Sequence, residues 1–137
     1  MTNFTFTSAN GAVASIVSNT MTIAGAGSTM ITASQVGNAL WNPVSASQTF
    51  VVHPINQTIS FPAIAARTLS KTNVVTLAAT SSSGFPITYI VGNTAIATNR
   101  TSNSLTLLGV GTTTVTATNV GTQNYTPAGV SQTLIVK

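Results

Sequence analysis

The chain has 137 residues, and its only charged side chains are Arg67, Lys71, Arg100 and Lys137; it has no Asp, no Glu and no Cys. Without carboxylates there is no acid/base pair for glycoside cleavage, no acid to orient a catalytic histidine, and no hard-oxygen cage for calcium beyond backbone carbonyls. Without thiols there are no disulfides, no thiolate nucleophile and no zinc site of thiolate type, so no catalytic, cofactor-binding or metal-ligating residues are expected.

Reading from the N-terminus, the first strand-forming stretch is written twice. Ser18–Val52, "SNTMTIAGAGSTMITASQVGNALWNPVSASQTFVV", is echoed 84 positions later by Ser102–Val136, "SNSLTLLGVGTTTVTATNVGTQNYTPAGVSQTLIV". About 15 of the 35 gapless pairs are identical. Such self-similarity marks a tandem array of one small fold. The first copy begins near the equivalent of Gly84 and lacks counterparts to Gln57–Pro62 and Val74–Thr80. Residues 1–53 are therefore read as a partial domain made of C-terminal strands only, with Ile31, Ala33, Phe50 and Val52 at core positions. Three accounts are open: a piece of a longer array, which the repeat favours; an N-terminus without defined structure; or strands supplied by a neighbouring subunit. His53–Asn56 reads as a Pro-containing linker of limited flexibility. His53 stands there alone, and a lone imidazole in a linker is a hinge residue more often than a ligand.

Residues 54–137 read as a complete domain. The expected strands are Gln57–Phe61, Val74–Thr80, Ile87–Val91, a short edge at Ala95–Asn99, Leu105–Leu108, Thr113–Asn119 and Gln132–Val136. Each is rich in Thr, Val and Ile and bounded by Gly, Pro, Asn or Ser. Alternation places Val115, Ala117, Leu134 and Val136 inside, with Thr114, Thr116, Thr118, Thr133 and Ile135 outside. Nothing sustains a helical period. Seven short strands at this spacing predict an all-β fold: tandem immunoglobulin-like Greek-key β-sandwiches without the antibody disulfide.

Two repeated details have structural explanations. The pairs Gly25/Gly27 and Gly109/Gly111 are expected to make tight hairpins through positive φ. No helix follows them and no acidic ribose partner exists, so they are not nucleotide loops. Trp41 and Tyr125 stand at equivalent places before Pro43 and Pro127. They are expected to plug one end of each sandwich; the alternative is a sugar-stacking platform.

The S-S-G-x-P-I-x-Y third strand, the A-I-A-T edge, the G-x-G-T-x-x-V-T-A turn and the N-Y-x-P-A loop resemble tandem bacterial immunoglobulin-like repeats. The resemblance covers nearly the whole chain. It implies a β-sandwich stalk module of adhesins, surface layers, filaments or phage virion proteins, with no shared catalytic or ligand residues. The incomplete first copy and the absence of carboxylates depart from that pattern.

Four scattered cations do not make a phosphate-tracking stripe, so a nucleic-acid partner is not expected. No apolar run reaches the length of a membrane span. Sequons stand at Asn3, Asn56, Asn99 and Asn124, which are candidate glycosylation sites in a glycosylating host. Ser and Thr make about 30% of the chain, as suits exposed strand positions. The expected function is a non-catalytic structural module, extracellular, at a cell surface or on a virion. It would form a stalk, filament or sheath by end-to-end packing or strand exchange, with copies of itself or neighbouring repeats as partners. The alternative is an adhesin or carbohydrate-binding module working through Trp41 and Tyr125. The stalk reading predicts both rings buried, and the binding reading predicts them exposed.

Overall fold

The computed structural model describes residues 3–71 and 73–137, and all regular elements among them are strands. The chain divides into two compact units, Met1–Ile55 and Asn56–Lys137. In the first unit the strands are β1 (Thr5–Ser8), β2 (Ala14–Val17), β3 (Thr20–Ile23), β4 (Gly27–Gln35) and β5 (Val44–Val52). The second unit holds β6 (Ile59–Ser60), β7 (Val74–Thr76), β8 (Thr80–Ser81), β9 (Thr88–Val91), β10 (Ala97–Thr101), β11 (Ser104–Leu107), β12 (Gly111–Asn119) and β13 (Ala128–Val136).

The second unit is an immunoglobulin-like sandwich. One sheet has the order β13-β12-β9, and the other has β10-β11-β7, with β6 and β8 forming a short antiparallel pair. The connections β9–β10 and β11–β12 pass from one sheet to the other, as a Greek key requires. The inward faces pack Ile59, Phe61, Val75, Leu77, Tyr89, Ile96, Ala97, Leu105, Leu107, Val115, Ala117, Leu134 and Val136 into one core. This follows from the period-two pattern: along β12 Thr113, Val115, Ala117 and Asn119 are buried, while Thr112 and Thr114 are exposed. Ile135 is exposed between buried Leu134 and Val136, as alternation requires.

The first unit repeats a portion of this plan. Its β4–β5 ladder keeps the register of β12–β13: Gly27 faces Val52 as Gly111 faces Val136. β1 lies on β4 as β9 lies on β12, with Phe6 opposite Ala33 where Tyr89 stands opposite Ala117. Before the echoed segment the spacing of the copies shrinks by one, because β10 carries a register irregularity between Asn99 and Thr101. A bulge of one extra residue is enough to hide the upstream homology from a gapless alignment. Local hydrogen bonds are copied too. The Asn10 N–H donates to Thr29 Oγ1 at 2.9 Å and the Asn93 N–H to Thr113 Oγ1 at 2.8 Å. Thr32–Ser47 and Thr116–Ser131 hydroxyl pairs both lie at 2.8 Å.

One expectation about the glycines needs correcting. Gly25/Gly27 and Gly109/Gly111 do not close hairpins: β3 pairs with β2 and β11 with β10 and β7, whereas β4 and β12 belong to the other sheets. The turns carry the chain across the sandwich, and only Gly27 (φ 140°) and Gly111 (φ 145°) of the four have positive φ. A second pair, Gly37 and Gly121, has φ 72° and 76°. A Cβ on Gly121 would collide with the backbone carbonyl of Tyr125. Gly121→Ala is therefore expected to destabilise the second unit by about 2 kcal/mol, read as a fall in Tm by calorimetry.

Candidate functional site

The two units differ most in what covers the inward face of their sheets. In the second unit the segment from Gln57 to Ser81 closes the sandwich. β7 adds to β11 with Thr76 opposite Ser104, Val75 opposite Leu105 and Val74 opposite Thr106. The Leu77 N–H donates to the Asn103 carbonyl at 2.8 Å, and the Leu107 N–H to the Asn73 carbonyl at 2.7 Å. Arg67 bridges Val136 in parallel, its N–H donating to the Ile135 carbonyl at 2.9 Å. The Lys137 N–H returns to the Arg67 carbonyl at 2.8 Å, and the Leu69 N–H reaches the Lys137 carbonyl at 2.9 Å. Phe61 meets Tyr89 with ring centroids 5.6 Å apart.

The first unit has no equivalent layer among the described residues. β3 pairs only with β2, and β5 only with β4, so each presents an unpaired edge. The matching side chains are correspondingly open. Met21 is 40% exposed where Leu105 is 0%, and Ile23 is 59% exposed where Leu107 is 3%. Phe6 is 37% exposed where Tyr89 is 6%. Ile31, Ala33, Phe50 and Val52 hold the expected core positions but are only half-buried. Phe6, Ile16, Asn19, Met21 and Ile31 line a groove of about 190 Å³ on this unit. No charged side chain occurs before residue 53, so the face is electrically neutral.

The end of the second sandwich is sealed by a buried amide. The Gln57 Nε2 donates to Asn119 Oδ1 at 3.0 Å and to the Thr126 carbonyl at 2.6 Å. Its Oε1 accepts from the Ser81 and Ser83 hydroxyls at 3.0 and 2.6 Å. Asn119 in turn donates to the Pro86 carbonyl at 2.9 Å and accepts from the Gly121 N–H at 2.8 Å. Sequence reasoning missed this network, because its members lie far apart along the chain. The one available signal is that Gln57 shares the alternation phase of Ile59 and Phe61, a polar residue on an otherwise apolar face.

The loop aromatics are not alike. Tyr125 is half-buried and meets Phe85 edge-on at 5.7 Å and 74°. Trp41 is 69% exposed, beside exposed Val36 and Leu40, and does not plug its unit. The residue of the first copy that corresponds to Phe85 is Thr2, which has no ring to offer and lies outside the described residues. The two aromatics sit in separate units and are not assembled into one platform by either unit. Asn3, Asn56, Asn99 and Asn124 are all exposed, but the Asn99 Nδ2 donates to the Tyr89 carbonyl at 2.9 Å. His53 is exposed, as are Arg67, Lys71, Arg100 and Lys137.

The fold thus defines an all-β chain built of immunoglobulin-like sandwich units. No protein-family model matches it, and no curated protein does. Among solved structures it is similar to the chain described as "Crystal structure of Drosophila N-cadherin EC1-4", with 14% identity and a TM-score of 0.40. That likeness covers 99% of this chain but 42% of the other, so this chain spans less than half of its length. No helix among the described residues is long and apolar enough to cross a membrane.

Proposed function

We infer that the chain is a non-catalytic structural module of an extracellular tandem-repeat protein, at a cell surface or on a virion, working within a stalk, filament or sheath. One observation supports this most: two units reuse the same strand register and the same side-chain hydrogen bonds. A block copied in this way is building material, because semi-rigid links between sandwiches give a rod. A surface with few charges also offers little repulsion to lateral association. The partners are copies of the module and its neighbours, with glycans at Asn3, Asn56, Asn99 or Asn124 as surface modification; glycosylation at Asn99 would have to break its bond to the Tyr89 carbonyl. Electron microscopy of the purified chain tests the reading. Elongated particles or filaments with a repeating axial spacing are expected, and compact monomers at every concentration would refute it.

A second reading, an adhesin or carbohydrate-binding module, draws on exposed Trp41. Under it, binding of an oligosaccharide would quench tryptophan fluorescence, and Trp41→Ala would weaken binding by roughly 10-fold or more. Under the structural reading no glycan changes the emission.

The composition also fixes a solution property. Acid unfolding acts mainly through protonation of carboxylates that are paired in the native state, and this chain has no side-chain carboxylate. Melting followed by circular dichroism at about pH 3 and about pH 7 is expected to agree within a few degrees.

A further inference from the structure

We propose that Asn10 is a modification site, where the side-chain amide converts to a carboxylate through a succinimide closed by the Gly11 nitrogen. Asn10 and Gly11 are both exposed, in the turn between β1 and β2. No hydrogen bond holds the Gly11 N–H among the described residues, and a Cβ on Gly11 would meet nothing within 4 Å. The nitrogen is thus open to base and uncrowded. The Ala12 N–H donates to Asn10 Oδ1 at 3.0 Å. That donor polarises the Cγ carbonyl and is aimed at the oxygen that gains negative charge when Cγ is attacked. The turn is held in place around it. The Asn10 N–H donates to Thr29 Oγ1 at 2.9 Å, and the Asn10 carbonyl accepts from the Val13 and Ala14 N–H groups at 3.2 Å. In the reaction the Gly11 N–H gives its proton to hydroxide, and the nitrogen bonds to Asn10 Cγ. The Cγ–Nδ2 bond breaks, and Nδ2 leaves as ammonia after taking a proton from water. A second water then opens the ring. Attack at Cγ gives aspartate, and attack at the main-chain carbonyl carbon gives isoaspartate, whose backbone runs through Cβ and Cγ.

The second unit carries the control. Asn93 stands in the equivalent turn, its Oδ1 accepting from the Ala95 N–H at 3.0 Å and its N–H donating to Thr113 Oγ1 at 2.8 Å. Asn93 and Thr94 are exposed too, so this turn meets water even in the unit whose sandwich is closed. The decisive difference is one residue: Thr94 follows Asn93 where Gly11 follows Asn10. A β-branched side chain crowds the attacking nitrogen and stiffens the chain, whereas glycine does neither. Asn38 makes a similar turn, its Oδ1 accepting from the Leu40 N–H at 2.8 Å, but Ala39 follows it. The two products differ in consequence. Aspartate keeps the backbone and gives the chain its first side-chain carboxylate, beside an N–H that already caps Oδ1. Isoaspartate takes the Asn10 carbonyl carbon out of the main chain, which displaces the acceptor of two N–H groups on the buried residues Val13 and Ala14. The proposal is independent of what the module builds.

The test incubates the folded full chain in mildly alkaline buffer and follows each asparagine by peptide mass spectrometry. Asn10 is expected to gain one mass unit at least roughly 10-fold faster than Asn93 or Asn38, with aspartate and isoaspartate both among the products. Gly11→Thr, which copies the second unit and enters open space, is expected to bring Asn10 down to the rate of Asn93. Thr94→Gly is expected to raise Asn93 towards the rate of Asn10. Circular dichroism shows whether each variant is folded, and Thr94→Gly supplies the readout should Gly11→Thr unfold the first unit. Equal rates at Asn10 and Asn93 overturn the proposal, as does a folded Gly11→Thr chain that reacts as fast as before. The same measurement in urea separates the turn from the bare sequence. Asn10 reacting at least roughly 10-fold more slowly in the folded chain than in the unfolded one would mean that the turn protects it, and would overturn the proposal as well.

Discussion

Leu105→Asp is expected to unfold the second unit, whereas Met21→Asp, at the same place in the repeat, leaves the first unit nearly as stable as before. Leu105 is fully enclosed between the sheets, among Val75, Leu107, Val115 and Leu134. A carboxylate there has no cation or donor set to meet it, and placing an unpaired charge in such a site costs at least about 4 kcal/mol together with the lost apolar burial. Met21 faces the open groove, so an aspartate at that position stays hydrated and costs under about 1 kcal/mol. Exchange measured separately on β11 and β3 distinguishes the two outcomes. Equal damage in both units would mean that Met21 is as enclosed in solution as Leu105 is.

Gln57→Leu carries the second large effect. The substitution keeps the volume but removes a donor and an acceptor group that together make four hydrogen bonds in a buried site. The Thr126 carbonyl loses its partner, and the two serine hydroxyls are left to each other. Leaving buried polar groups unsatisfied costs about 1–3 kcal/mol for each orphan, so a total of about 3 kcal/mol is expected. In a unit of this size that is a fall in Tm of roughly 12–24 °C. Differential scanning calorimetry reads it directly. A shift of only a degree or two would show that water replaces the amide without penalty.

Much of the architecture can be read from the residues. Each of the seven strands expected in residues 54–137 has a counterpart, because Thr/Val/Ile runs between turn residues carry a strong local signal. The one expected over Val74–Thr80, however, is split into β7 and β8, which join different sheets, and β6 covers only Ile59–Ser60 of Gln57–Phe61. Alternation correctly places Val115, Ala117, Leu134 and Val136 in the core. The strand expected from Gln132 begins at Ala128, since a β-strand pairing with a nine-residue neighbour is extended by the ladder and not by its own propensity. The turn at Gly109/Gly111 is not legible, because local sequence cannot tell a hairpin from a crossing between sheets; the partner strands decide. The strand at Thr5–Ser8 has no apolar alternation strong enough to announce it. Its pairing with β4 supplies what the sequence lacks. Trp41 fails as a plug for a similar reason: its environment depends on a partner ring that only the second copy has.

The parallel contact at the end of the second unit has a mechanical side. Arg67 and Leu69 lie early in that unit and Lys137 at its end, and their three backbone bonds tie the two termini of the fold side by side. Pulling on Asn56 and Lys137 loads those bonds lengthwise, in shear and all together, so they cannot open in succession as a zipper would. Among the described residues no such clasp lies on β5. Under tension the second unit is expected to resist through all three bonds at once.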